Sequence, residues 1–152
     1  MEVRNDFDFL ENKLSVEQYH KHNDIESWLY NYNIIKVAIE NKKDELKVLE
    51  TLKAVNTESE GKSSKISRPV EDIQAQKDKL ENEIIIMELK LKKINKALDA
   101  LTNDEFCVVK NFYIESKNYK EFIKDMQCEI TSCKKLKKRA LNKIILAVYG
   151  IL

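Results

Sequence analysis

Between Pro69 and Leu101 apolar residues recur at heptad spacing, and this pattern constrains the fold more than any other feature of the sequence. One register carries an apolar residue at every seventh position: Ile73, Leu80, Met87, Ile94 and Leu101. The complementary register has Lys77 as its one exception and otherwise holds Val70, Ile84, Leu91 and Leu98. Such a pattern is typical of a helix that packs along one seam, as in a coiled coil. The sequence therefore predicts a long helix whose seam is covered by a second helix.

An earlier segment, from about Val16 to Val55, carries a similar seam and is also predicted to be one long helix. Its apolar positions alternate between three-residue and four-residue spacing, broken at Lys42: Ile25, Trp28, Tyr32, Ile35, Ile39, Leu46 and Leu49. The linker 56–68 is rich in Ser, Lys and Glu, and would let the two helices fold back as an antiparallel hairpin. Alternatively, one seam pairs with its copy in a second chain. Extra apolar residues at Ile85, Ile86 and Leu89 favour dimerisation as well.

The composition indicates the fold class of the protein and the cellular compartment in which it is expected. Two glycines, one proline and 35% charged residues indicate an all-α chain, and the net charge of +1 says nothing about partners. The longest apolar run, Ile84 to Met87, is too short to span a bilayer, and the N-terminus lacks signal-peptide order. Cys107, Cys128 and Cys133 fit no zinc or disulfide spacing and are predicted to be buried free thiols. We therefore expect a cytoplasmic protein with no membrane partner.

The C-terminal third contains a run from Cys128 to Ile144 in which cations and apolar residues alternate at helical spacing. Between Ile130 and Lys143 there is no Asp or Glu, and the cations are Lys134, Lys135, Lys137, Lys138, Arg139 and Lys143. The apolar positions between them are Cys133, Leu136, Ala140, Leu141 and Ile144. This pattern predicts a basic amphipathic helix, which suits a DNA groove, an acidic partner or an anionic surface.

Two shorter helices are predicted before the basic one. Thr102 is expected to cap a helix that ends near Glu115, a second helix spans Tyr119 to Met126, and Gly150 stands where a C-terminal cap of the basic helix belongs. Two short helices, a tight turn and a longer basic helix are the components of a helix-turn-helix motif.

These segments resemble the C-terminal helix-turn-helix of bacterial sigma factors, in the form carried by phage transcriptional regulators of the ArpU and RinA type. The resemblance lies in the acidic pair Asp104 and Glu105, the apolar helix through Val108 to Tyr113, the short helix, and a basic-Ala-Leu ending at Arg139. Gln127 stands where a turn glycine is common in this motif. The resemblance covers about the last 55 residues.

The resemblance implies a DNA-binding transcriptional regulator, encoded by a phage or prophage, that dimerises through its coiled coil. The expected fold is all-α, with a helical hairpin in a domain 1–101 followed by a helix-turn-helix domain 102–152. The residues expected to contact DNA lie along the basic helix: Ile130, Thr131, Ser132, Lys134, Lys135, Lys137, Lys138, Arg139 and Lys143. The implied partners are double-stranded DNA, a second copy of the chain and RNA polymerase. The start of such a helix reads base edges, whereas later cations contact phosphates.

Other readings remain open at this point. The chain fits a coiled-coil scaffold whose basic helix meets an acidic partner, or a small terminase-like subunit for DNA packaging. Catalysis is not expected, because the sequence has no glycine-rich phosphate loop and no HExxH motif. His20 and His22 point to different faces of a predicted helix, so we expect neither a metal site nor a cofactor.

Overall fold

The computed structural model describes residues 6–58 and 70–150, with side chains from 16–56 and 70–150. These residues form six α-helices and one π-helical segment, with no strand among them, which confirms the predicted all-α class. The α-helices are α1 (Asp6–Tyr30), α2 (Tyr32–Glu58), α3 (Val70–Asp99), α4 (Asn103–Val109), α5 (Tyr119–Met126) and α6 (Ile130–Tyr149). The π-helical segment Lys110–Ile114 directly follows α4. Most of the predicted linker lies outside the described residues.

The first predicted long helix is two helices, α1 and α2, which are separated at Asn31. The backbone N–H of Asn31 and its side-chain amide both donate to the carbonyl of Ser27, at 3.0 and 2.8 Å. An asparagine side chain that competes for a helical carbonyl offers the backbone an alternative to continued helix. The prediction of one unbroken helix from Val16 to Val55 is therefore wrong at this residue.

The contacts between helices divide the chain into two units. Unit 1 contains the described residues up to Asn33 together with those from Lys93 onward, and unit 2 contains Ile34–Lys92. In unit 1, α1 packs against α6 and against the π-helical segment. The N-terminal helix thus shares a unit with the C-terminal helices, although the sequence assigned them to the separate domains 1–101 and 102–152.

In unit 2, α2 and α3 lie antiparallel and are joined by ion pairs. Lys42 Nζ is 2.8 Å from Glu83, Lys43 Nζ is 2.7 Å from Glu88, and the later Glu50 of α2 pairs with the earlier Lys77 of α3 at 3.7 Å. The described buried apolar residues of unit 2 all belong to the predicted seams: Ile39, Ile73, Leu80 and Ile84. Three seam positions of α3 in unit 2 are thus buried within the described chain.

The core of unit 1 is assembled from helices that are far apart in the sequence. Its fully or almost fully buried side chains come from α1, the end of α3, the α4–π region and α6: Ile25, Leu29, Ile94, Ala97, Leu98, Val109, Tyr113, Ala140, Leu141, Ile144 and Ile145. Tyr113 is completely buried, and its hydroxyl donates to Glu26 Oε1 at 3.0 Å. This bond connects the π-helical segment to α1.

The ends of the short helices follow local sequence signals. Thr102 caps α4 in a reciprocal pair with Glu105, and the Asn118 N–H donates to Glu121 Oε2 at 3.2 Å. Gly150 ends α6 with φ of 75°, a left-handed conformation that glycine adopts without strain. The predicted start of α4, both ends of α5 and the end of α6 are confirmed.

Candidate nucleic-acid interface

The helix α6 is divided into a buried face and an exposed face, as its sequence predicts. The buried side chains are Cys133, Ala140, Leu141, Ile144 and Ile145, and Leu136 is half-buried. The opposite face carries most of the residues that are expected to contact DNA. This division keeps the cations of α6 in water, because burying an unpaired charge is costly.

The first turn of α6 exposes one apolar and two small polar side chains to solvent. Ile130, Thr131 and Ser132 are all exposed, and Ile130 has a fractional exposure of 42%. Just before them, Gln127 adopts a left-handed conformation with φ of 52°. This conformation is uncommon for a residue with a Cβ. The left-handed position of this turn is therefore occupied by a glutamine.

Three exposed cations line one groove in the middle of α6. Lys135, Lys138 and Arg139 are exposed, and within the part of the chain that the structure describes they make no ion pair. Together with their neighbours they line a shallow groove: Lys135, Lys138, Arg139, Asn142, Lys143 and Leu146. None of the described residues that line this groove carries a carboxylate.

Lys137 is placed differently from these three. It is half-buried, and its Nζ lies 4.2 Å from the ring centroid of Phe112 and 5.6 Å from that of Tyr119. At such distances the negative face of an aromatic ring attracts an ammonium group. Lys134 makes a longer contact of the same kind, at 5.9 Å from Tyr119, and stays exposed. No signal in the sequence indicates that Lys137 covers an aromatic cluster.

Lys143 is engaged by a buried carboxylate. Its Nζ donates to Glu105 Oε1 at 2.6 Å, and Glu105 has only 1% of its side chain exposed. Burial alone would raise the pKa of Glu105, but hydrogen bonds from Lys143 and Thr102 outweigh it and hold that pKa below its usual range. Lys143 therefore joins α6 to α4. The capping motif at Thr102 was visible in the sequence, whereas this long-range pair was not.

The cysteines differ from the sequence-based expectation. Cys128 and Cys133 are paired as a disulfide that closes the turn leading into α6, with their Cα atoms 6.7 Å apart, and Cys107 is an exposed free thiol. The prediction of three buried free thiols is therefore wrong. The spacing of five residues brings the pair together because Cys128 precedes the helix and Cys133 lies in its first turns.

The described residues also bear on metal binding and on membrane insertion. Among residues 6–58 and 70–150, no group of three or more His, Cys, Asp or Glu side chains is arranged to hold a metal ion. None of the helices in the same residues combines the length and the apolarity that crossing a membrane requires.

Comparison with protein-family models gives no match for this chain, and comparisons with curated proteins and with solved structures give no significant match. The resemblance to ArpU-type and RinA-type regulators therefore stays a prediction from the sequence. The function proposed below depends on the chemistry and geometry of this chain.

Proposed function

We propose that the protein binds duplex DNA through α6 and acts as a transcriptional regulator. The observation that carries this proposal is the exposed group of Lys135, Lys138 and Arg139 on a helix without a single acidic residue. Cations that lack protein partners attract a polyanion, because each phosphate contact releases a condensed counterion. The resemblance to phage regulators supports a role in transcription, with RNA polymerase as a further partner.

In this proposal α5, the turn at Gln127 and α6 act as a helix-turn-helix, and α6 enters the major groove. Thr131 and Ser132, in the exposed first turn, are positioned for base edges, which hydroxyl groups can recognise by donating or accepting hydrogen bonds. Lys135, Lys138 and Arg139 follow on the same helix and serve the phosphates. Lys134 is exposed and stays in the proposed set.

Lys137 and Lys143 take a smaller part in this proposal than the sequence suggested. Lys137 covers Phe112, and Lys143 is bonded to Glu105, so each already has a favourable partner in the protein. A phosphate would have to compete with these contacts. We therefore assign both lysines mainly to holding α6 in place.

Dimerisation is proposed to use apolar side chains that unit 2 leaves exposed. On α2 they include Ile34, Val48 and Val55, which share a seven-residue register, and on α3 they include Ile85 and Ile86. Heptad-spaced apolar residues outside an intramolecular seam are suited to pairing with a further helix, as in a coiled coil. A dimer presents two copies of α6 and therefore predicts a two-part DNA site.

The test is a fluorescence-anisotropy titration of a labelled mixed-sequence duplex over a range of sodium chloride concentrations. In the variant Lys135→Ala, Lys138→Ala, Arg139→Ala, we expect binding at moderate salt to fall by about two orders of magnitude. The slope of log K against log salt should decrease by roughly 2 to 3, since three phosphate contacts are lost.

The matched control is Lys42→Ala, Lys43→Ala, Lys77→Ala, which removes the same number of cations from unit 2. Because these lysines are paired with carboxylates, we expect the control to bind like the wild type. Equal losses in both triple variants would indicate a response to net charge and would contradict the assignment to α6.

A second candidate function follows from the exposed apolar residues of unit 2, which also suit a coiled-coil scaffold or a small terminase-like subunit. Light scattering of the purified protein separates these possibilities. A dimer that binds DNA supports the regulator, a ring of many subunits supports packaging, and an oligomer without DNA binding supports the scaffold.

A further inference from the structure

A polar cleft lies between α1 and α6, next to the basic groove. Within the described part of the chain, its lining includes Gln18 and His22 from α1 with Lys138, Asn142 and Ile145 from α6. Ile145 is almost completely buried and forms the apolar base, while His22 and Asn142 are half-buried. The cleft has a volume of about 280 Å³, close to the lower end of ligand pockets.

The polar groups of this lining are rich in hydrogen-bond donors. Lys138 contributes an ammonium group, Gln18 and Asn142 contribute amide N–H groups, and the imidazole of His22 contributes a ring N–H. Among the residues whose side chains the structure describes, none that lines the cleft carries a carboxylate. Several donors around a small volume, with one fixed positive charge, suit an oxyanion such as a phosphate group.

The packing of α1 on α6 forms this cleft in advance of any ligand. The hydroxyl of Tyr149, at the end of α6, donates to the carboxylate of Asp24, and Lys21 Nζ lies 5.7 Å from the centroid of the Tyr149 ring. Burial raises the pKa of Tyr149, and its bond to Asp24 adds to the effect, so the hydroxyl keeps its proton for this bond. The two walls of the cleft are therefore held together by their own contacts.

The cleft continues the surface that is proposed to bind DNA. Lys138 and Asn142 line both the cleft and the basic groove of α6. They are four residues apart and therefore neighbours on the same side of the helix. A DNA strand that follows the groove would bring a phosphate to the edge of the cleft.

We propose that this cleft receives a backbone phosphate of the bound DNA, and that His22 and Gln18 of α1 are phosphate-binding residues. This inference rests on the proposed function. It extends the DNA surface from one helix to two, since α1 and α6 hold the strand between them. Contacts of this kind set the register of the protein on the duplex without reading its sequence.

The test compares two histidines that lie close together on α1. His22→Ala removes a donor from the cleft, whereas His20→Ala changes an exposed histidine outside its lining and serves as the matched control. In the anisotropy titration, His22→Ala should weaken duplex binding by about tenfold, the size expected for a hydrogen bond to a charged group. His20→Ala should bind like the wild type. His22→Gln keeps an N–H donor and should recover most of the lost affinity.

An NMR titration provides a second readout that a purely structural role would not change. The chain has two histidines, so His20→Ala leaves His22 as the one imidazole in the spectrum. Its ring-nitrogen signals should shift when the duplex is added. Inorganic phosphate alone, added at high concentration, should move the same signals in the same direction.

The possible results separate the two proposals. If the wild type does not bind the duplex, the proposed function fails and this inference fails with it. If the wild type binds and the α6 triple variant does not, while His22→Ala equals His20→Ala and the His22 signals stay unchanged, DNA binding stands and the phosphate cleft is excluded. Equal weakening by His22→Ala and His22→Gln would likewise overturn the role of His22 as a donor.

Discussion

The helix pair of unit 2 and the helix α6 of unit 1 are built from similar residues but use their charges differently. In unit 2 the lysines alternate with acids, and Lys42, Lys43 and Lys77 are paired across the two helices. On α6 no acid is present, and Lys135, Lys138 and Arg139 remain exposed. The difference shows that a high lysine content does not define a binding surface. A surface becomes attractive to a polyanion when its own chain does not neutralise it.

The largest effect is expected from the contact between α1 and the rest of unit 1. Leu29 is completely buried in that core, so Leu29→Ala should lower the free energy of unfolding by about 2–5 kcal/mol. Leu52→Ala, in unit 2, is the matched control, because Leu52 is 42% exposed and should change stability by less than about 0.5 kcal/mol. Urea denaturation followed by circular dichroism measures both. If Leu29→Ala changes stability as little as Leu52→Ala does, α1 does not belong to the unit 1 core.

A smaller loss is expected when the partner of the buried carboxylate is removed. Lys143→Met leaves Glu105 buried without its ammonium partner, which should cost about 1–3 kcal/mol near neutral pH. Since the pKa of Glu105 is lowered in the folded state, its stabilisation is present above the ordinary value of 4.5 and is lost as pH falls through the folded pKa.

The difference in unfolding free energy between wild type and Lys143→Met should therefore be largest near neutral pH and shrink below pH 4.5. Urea unfolding at several pH values measures it. In unit 2, Lys43→Met removes a lysine whose partner Glu88 is exposed to water, and we expect no comparable pH-dependent loss. A pH-independent loss in Lys143→Met would contradict a role for the Glu105 charge.

The disulfide between Cys128 and Cys133 should contribute a similar or smaller amount to the free energy of unfolding. Cys128 and Cys133 enclose a short loop, for which the chain-entropy relation gives about 2 kcal/mol. Dithiothreitol should lower the melting temperature of the wild type and leave that of Cys128→Ser, Cys133→Ser unchanged. The single variant Cys107→Ser, which alters the exposed free thiol, should respond to dithiothreitol like the wild type. An equal response of the double variant and the wild type would exclude the pairing.

The smallest effect is expected from the ion pairs of unit 2. Lys42 and Glu83 are both accessible to water, so Lys42→Met should change thermal stability only slightly. Any change should disappear at high salt, where exposed charges are screened. A large, salt-independent loss would show that this pair contributes to the packing of α2 on α3, and would weaken the contrast with α6. Thermal melts at low and high sodium chloride measure the difference.

The sequence alone was sufficient for features that depend on neighbouring residues. Heptad spacing located the seam of α3, the Thr102 cap located the start of α4, and Gly150 located the end of α6. Each of these signals acts within one or two helical turns and requires no distant partner. The alternation of cations and apolar residues likewise predicted which face of α6 is buried.

Only the tertiary structure decided which distant residues meet. Tyr113 is bonded to Glu26 on α1, Lys143 is bonded to Glu105 on α4, and His22 comes to line a cleft with Lys138. These pairings depend on how amphipathic helices pack against each other. Helical periodicity in a sequence shows that one face of a helix is covered, but it does not show which other helix covers it. Lysines that look equivalent along α6 therefore differ in the folded protein. Their separation into packed and exposed groups follows from the neighbours that the fold places beside each of them.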